Sequence, residues 1–457
     1  MAAKGLGLAS TATSTNMGIL YTDRRDFYVN PMRVAELYPS VSPFTTMLLN
    51  KGAKTVKDPD FKMFEHRSQF LDAKAVINGS PLWSSAGAPG DTAASVAVDG
   101  ISSLGTALSS AWLNVVFEIW DTTQTTYKGV AFVSAVNGTS DFTLKSLGNP
   151  RTTAMACSAL ADNDVLLAIG TAFGEGTEAP EAWQDDLAVV FNSTQIFKKS
   201  VEITGTLKHA ALRGYSNELE RLRVEALKEM KYQMEIALLR GVRPKGTGSI
   251  VLSTGAVDGN DLTSATHALT GMFDADGKTL RTTMGILSAL ERYGASSGDK
   301  QNLFTLPEAT FKYGDFVDAM EKVFQYLPDS GYKTAFCGAG ALSYWAKMSN
   351  DSGFIKKSGW TIQMSKAETN SLGFSVQTID TPHGGLKLTF APGLRGIYNK
   401  YMVVIDEAKL FLAEYRPFEY KTDIKKDNAY DGVKDQWMAD MGLGIEMIEA
   451  HSLFKIV

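Results

Sequence analysis

The sequence predicts an α+β chain built from several parts. Three observations carry that prediction: a long amphipathic helix signal at 217–240, short strand-like runs between 112 and 169, and a region, 281–400, where helix and strand patterns alternate. At 457 residues the chain exceeds the size at which one hydrophobic core keeps growing, so two or three domains or sub-domains are expected. Apolar residues make up 44% and charged residues 21%, the balance of a globular protein rather than a disordered one.

Residues 1–20 are rich in Ala, Gly, Ser and Thr and have no apolar periodicity, which predicts a flexible arm. From Asn30 to Gly52, Pro31, Pro39 and Pro43 interrupt short helix-like pieces, so the arm continues extended with one or two helical turns. Residues 76–182 change character: a low-charge Gly/Ala/Ser stretch precedes strand-like runs at Trp112–Trp120, Gly129–Val136, Phe142–Leu147 and Val165–Ile169. Asn137-Gly138 between two of them is a hairpin signal. A small inserted β-domain is the simplest account, with one more layer of a single all-β domain as the competing reading.

A strand-like run at 192–206 leads into the long helix. Asn217 with Glu220 gives a capping-box start, Leu219, Leu222, Ala226, Met230, Met234 and Ala237 repeat at helical spacing, and Gly241 stands where a C′ residue would. At 1.5 Å per residue this helix spans roughly 36 Å. Glu218, Arg221, Glu225, Lys228, Glu229 and Lys231 form its polar face. Residues 242–280 read as loop. Beyond them come helix 314–327, strand 333–337, helix 340–348 and strands near 374–380, 386–391 and 402–405, then an apolar, strand-like C-terminal stretch. No 20–50-residue repeat indicates a solenoid or propeller.

The net charge of −5 offers no basic field for coating nucleic acid. Residues 1–75 carry ten Lys/Arg against seven Asp/Glu, whereas residues 76–185 carry three against eleven, so the acidity is concentrated in the predicted β-insertion. Cys157 and Cys337 lie far apart with no C-x-x-C partner, which suggests neither a disulfide framework nor a zinc site and fits a reducing compartment. The N-terminus lacks a secretion signal and no run is long enough to span a membrane, so the sequons at Asn137 and Asn192 carry no weight.

Chemistry is nearly absent from the pattern. His66, His209, His267, His383 and His451 are scattered without metal-ligand spacing, and neither a Gly-x-Ser-x-Gly elbow nor a P-loop occurs. Cys337-Gly338-Ala339-Gly340-Ala341-Leu342 follows a strand and opens a helix, as a dinucleotide site would, but Ser343 occupies the third glycine position, so a tight strand-to-helix turn explains it better. Asp162/Asp164, Glu175/Glu178 and Asp185-Asp186 lack EF-hand grammar and read as solvated acidic surface. Arg416, Lys421, Lys425 and Lys426 read as a surface or subunit-interface patch. No catalytic, cofactor or metal residue is assigned.

In order, the parts resemble major capsid proteins of tailed bacteriophages with the Hong Kong 97-type fold. Ser42-Pro43-Phe44-Thr45 is similar to a Thr-Pro-Phe element near the start of many such proteins, and Phe61-Lys62-Met63-Phe64-Glu65-His66 to the aromatic-acidic strand opening their extended loop. Gly170-Thr171-Ala172-Phe173-Gly174-Glu175-Gly176 resembles a run near the end of an inserted β-domain in one branch. Asn192–Phe197 with Val201–Thr206 and the following helix resembles the returning loop strand and spine helix. Ile445–His451 resembles that branch's closing strand with its Ala-His pair.

The resemblance implies an N-terminal arm (1–55), extended-loop strands (56–75 and 183–210), an inserted β-domain (76–182), a peripheral domain with the spine helix (211–280), an axial α/β domain (281–400) and a return to the peripheral domain (401–457). It implies a non-enzymatic subunit that self-assembles through hexamers and pentamers into an icosahedral shell enclosing double-stranded DNA. Scaffolding, portal and decoration proteins are implied partners. The chain would be made in the host bacterial cytoplasm and reside in the virion, with no membrane association. A tail-tube or decoration subunit, and an α/β enzyme sited around Gly338–Ser343, are the competing readings.

Overall fold

The computed structural model describes residues 42–66, 74–99, 112–138, 141–178, 188–209, 217–243, 280–298, 300–308, 313–326, 331–350, 368–369, 375–424 and 431–457. The expected flexible arm at 1–20 therefore lies outside the described residues, as do Asp185-Asp186, Lys425, Lys426 and most of the loop at 242–280. The chain divides into two compact units, one of residues 1–41, 197–233 and 418–439, the other of the remainder.

The larger unit begins with α1 (Pro43–Lys51), a nine-residue helix in place of the one or two turns expected. Pro43 suits its first position, where no N–H is needed, and Phe44 and Leu48 are fully buried. β1 (Ala53–Thr55) follows, and then β2 (Asp60–Glu65), whose burial alternates with the strand period.

Next comes a closed six-stranded barrel of β3 (Lys74–Asn78), β4 (Thr92–Asp99), β5 (Val115–Trp120), β6 (Tyr127–Asn137), β7 (Asp141–Gly148) and β8 (Val165–Thr171), ordered β3-β4-β7-β6-β5-β8. Its core is its own: the Trp112, Phe117 and Phe142 rings meet with centroids about 6 Å apart among Ile77, Val133 and Leu144. The four expected strand runs appear as β5 to β8. Asn137 pairs with Asp141 and Gly138 has φ +73°, the left-handed turn conformation that Asn-Gly signals.

β9 (Ala188–Ser193) pairs antiparallel with β2, from Asp60↔Ser193 to Glu65↔Ala188. The barrel thus leaves and re-enters the chain at directly opposed positions of one strand pair.

The smaller unit holds most of β10 (Gln195–Thr204), the short α2 (Gly205–His209) and the first part of α3 (Glu218–Arg240). The Asn217 side chain accepts from the Glu220 N–H at 3.3 Å, the capping geometry expected. Arg221 sits between Glu218 and Glu225 on the polar face. In this unit Asp435 accepts from Arg223 Nε (2.8 Å) and Nη2 (2.5 Å), the Tyr420 hydroxyl (2.9 Å) and the Asp423 N–H (2.9 Å), so burial of its carboxylate is offset by four donors from three residues.

In the larger unit α3 ends at Arg240. Gly241 is not the left-handed C′ residue expected: its N–H continues the helix by donating to Ala237, and a Cβ there would lie 2.4 Å from the Ala237 carbonyl and 2.5 Å from that of Thr283. Glycine is needed for close approach of the 280–285 segment. α4 (Ile286–Tyr293), β11 (Leu303–Leu306), α5 (Tyr313–Val323), β12 (Tyr332–Cys337), α6 (Ala339–Asn350), β13 (Glu368–Thr369), β14 (Ser375–Thr381), β15 (Gly384–Phe390) and β16 (Tyr401–Ile405) then alternate as expected.

β17 (Leu410–Lys421) and β18 (Gly432–Ile445) are long strands, and β1 pairs parallel with β17 from Ala53↔Leu412 to Thr55↔Glu414. The final strand, β19 (Ser452–Ile456), corrects the boundary at 400. The seven-stranded sheet is ordered β11-β19-β16-β12-β15-β14-β13, so residues 401–405 and 452–456 are interior strands of the α/β sheet instead of leaving it. Their near-continuous apolar burial suits strands covered on both faces.

Candidate assembly elements

The Ser42-Pro43-Phe44-Thr45 segment is held by a carboxylate from α3. Glu235, fully buried, accepts from the Phe44 N–H at 3.1 Å, the Thr45 N–H at 2.7 Å and the Thr45 hydroxyl at 2.7 Å. Ser42 itself makes no side-chain cap, so Glu235 takes the donors an N-cap residue would accept and places negative charge at the helix N-terminus. Burial pushes its pKa up, against the pull of the Thr45 and Phe44 donors. At the other end of α1, Lys51 Nζ donates to the carbonyls of Glu407 and Leu410. Sequence reasoning missed Glu235, an acid beside the apolar positions Met234 and Leu238 with no local signal that sets it apart from the other glutamates of the helix.

The β2–β9 pair is anchored on one side and open on the other. Phe61 and Met63 pack against Phe411 and Ala413, whereas Phe64, directly opposite Val189, is 71% exposed. At the base of β9, the Asn192 amide donates to Leu443 O (2.7 Å), Met284 O (3.0 Å) and Thr283 Oγ1 (3.3 Å), and its oxygen accepts from the N–H groups of Ser193 and Met284. Every capacity of that amide is used, so this sequon is a structural hub.

The Ala450-His451 pair lies where the chain enters β19. Lys333, buried on β12, donates to Ala450 O, and the buried His451 Nδ1 accepts from the Asp406 N–H at 3.2 Å. Burial, reinforced by the nearby Lys333 charge, lowers the His451 pKa to about 3 and keeps the ring neutral.

The glycine turn after β12 is filled by this chain's own backbone. A Cβ on Gly338 would lie 2.2 Å from the Asn399 carbonyl, and the Asn399 side chain accepts from the Gly340 N–H at 3.1 Å. The helix N-terminus that would face a pyrophosphate is occupied by Asn399. Asp164 is buried and paired with Lys128 at 2.6 Å, so it builds the barrel instead of lining a surface, whereas Asp162, which accepts from the Gly79 N–H at 2.7 Å, is exposed as expected. Glu175 and Glu178 are exposed. Arg416 faces the buried Asp440 at 3.4 Å, with Arg281 on the same carboxylate at 3.5 Å, and Lys421 pairs with Glu419. Cys157 and Cys337 are buried free thiols. Among the described residues no cluster of three metal-ligating side chains occurs, and no helix is long and apolar enough to cross a membrane.

Residues 32–259 and 261–457 match the family model described as SU10 major capsid protein. The chain is 28% identical over 187 residues to the major capsid protein of Pseudomonas phage PaMx41, a match spanning 40% of this chain and 37% of that relative's length. Among solved structures, the capsid of the native GTA particle aligns at 9% identity with a TM-score of 0.41, over 97% of this chain and 100% of that one. The Mycobacterium phage Ogopogo structure aligns at 12% identity and 0.36, over 63% and 83%. The cyanophage Pam1 capsid aligns at 10% and 0.37, over 62% and 81%.

Proposed function

Because the chain belongs to the SU10 major capsid protein family, we propose that it is a subunit of a phage shell, with a Hong Kong 97-type fold, whose work is contact with copies of itself. The family match along nearly the whole chain carries this reading. The order of parts supports it: a docked α1, a strand pair bearing an insertion, a long helix and an α/β sheet are what the resemblance implies, in that sequence.

In this reading hexamers and pentamers close an icosahedral shell through rotational, heterologous contacts. Individual interfaces are modest, and multiplicity makes loss of one subunit rare. The shell encloses double-stranded DNA without reading its sequence, the subunit is made in the host cytoplasm and resides in the virion, and scaffolding, portal and decoration proteins are its further partners. The acidic barrel suits the outer surface, since its carboxylates would be repelled by packaged phosphates. No catalytic role is assigned to any residue.

Negative-stain microscopy of the purified full chain tests the reading. Closed shells or ring-shaped capsomers are expected. Rods would indicate a tail-tube subunit, and a discrete small oligomer would end the shell reading. A map of the particle with the barrel lining the lumen would overturn its outward orientation.

A further inference from the structure

We propose that Glu235 is a latch: by gripping the first turn of α1 it fixes the direction in which that helix lies against the larger unit's core, so the placement of α1 is set from α3. The proposal rests on the shell reading for its biological use, but its geometry does not.

The two backbone donors that Glu235 takes, from Phe44 and Thr45, follow Pro43, which has no N–H to satisfy. One carboxylate from about 190 residues away therefore replaces the local cap that Ser42 fails to supply. The helix is too short to hold its shape alone, so its persistence depends on what it docks against. The grip comes in two kinds. Phe44 packs edge-on against Phe336 at 5.2 Å and supplies apolar adhesion, which tolerates sliding. The three hydrogen bonds to Glu235 supply direction, which does not. Among the described residues no cation pairs with Glu235, and the backbone of Gly393 runs beside its side chain. A buried charge without a counter-ion is a poor way to stabilise a core, because an apolar side chain of similar size commonly does as well. Its presence is explained by the donors it orients.

Hydrogen exchange of unassembled full-length subunits, read on peptides spanning 42–52, tests the latch. In Glu235→Leu, which fills the same space without an acceptor, protection of those peptides should fall by about tenfold or more, while global stability stays level or rises. Glu235→Gln, with one acceptor oxygen, should fall between. Thr45→Ser, which keeps the hydroxyl, should behave as the unaltered protein. Unchanged protection of 42–52 in Glu235→Leu would overturn the latch, as would a loss spread evenly over the chain, which is what a purely core-stabilising residue would give. Because the measurement precedes assembly, it can fail while microscopy still shows shells, and the reverse.

Discussion

Lys333 Nζ donates at 2.8 Å to the carbonyl of Ala450, and the same ammonium donates at 2.6 Å to Val323 at the end of α5. A cation at a helix C-terminus is favourable, and here it also ties that helix to the turn before β19. Burial lowers its pKa to about 8, with Asp406 pulling the other way.

Lys333 therefore gives a pH signature. Its folded pKa lies below the ordinary lysine value of 10.5, so between about 8 and 10.5 the unfolded chain binds more protons. Stability from this group should rise with pH across that window at up to about 1.4 kcal/mol per unit, and urea denaturation should show Lys333→Met lacking that slope. Equal slopes in the two proteins would refute it.

His451 works in the acid range. Its pKa is lowered to about 3 from 6.5, so the native ring stays neutral while the unfolded one charges. Stability should fall as pH drops from about 6.5 towards 3, by up to about 1.4 kcal/mol per unit from this residue. In His451→Asn, whose side-chain oxygen can still accept from Asp406, the decline should be shallower over the same range when followed by circular dichroism.

Gly338→Ala should cost about 1–3 kcal/mol, because its Cβ meets the fixed carbonyl of Asn399. At Gly340 the nearest atom is the Asn399 side-chain amide, which can move, so Gly340→Ala should cost less. Thermal melts of the two variants give the ranking directly.

Asn192→Asp should be severe, about 3 kcal/mol or more, since a carboxylate would face the carbonyls of Leu443 and Met284 in place of a donor. Denaturant midpoints of the variant and the parent measure it.

Glu65 and Ala188 are directly opposed, so the barrel can be removed and the strands joined by a short turn. The chain in which an Asn-Gly turn replaces residues 67–187 should retain cooperative unfolding of the rest. Its collapse to an unfolded state would show that the barrel is integral rather than inserted.

The sequence was legible where local pattern and tertiary role coincide. The α3 stripe at Leu219, Ala226, Met230 and Met234 is buried as read, and Asn137-Gly138 turns where it signals. β4 was missed in the Gly/Ala/Ser stretch because Ser95, at φ +56°, sits in a register shift that breaks the alternation strands are recognised by. Glu235 and Lys333 were illegible for a different reason. A buried charge is written in the same letters as a solvated one, and what marks it is a backbone donor or acceptor 10 to 191 positions away. The missed membership of β19 in the α/β sheet has the same cause: a strand's neighbours are not encoded next to it.

That membership sets an order of events in time. β19 lies between β11 and β16, so the sheet has a gap in its interior until residues 452–456 are available. During synthesis the chain before them can form the barrel, whose pairings are local, but cannot finish the surface on which α5 and α6 rest. A chain synthesised only as far as residue 451 is thus a folded barrel beside an unfinished sheet, and the last few residues close what the preceding hundreds could not.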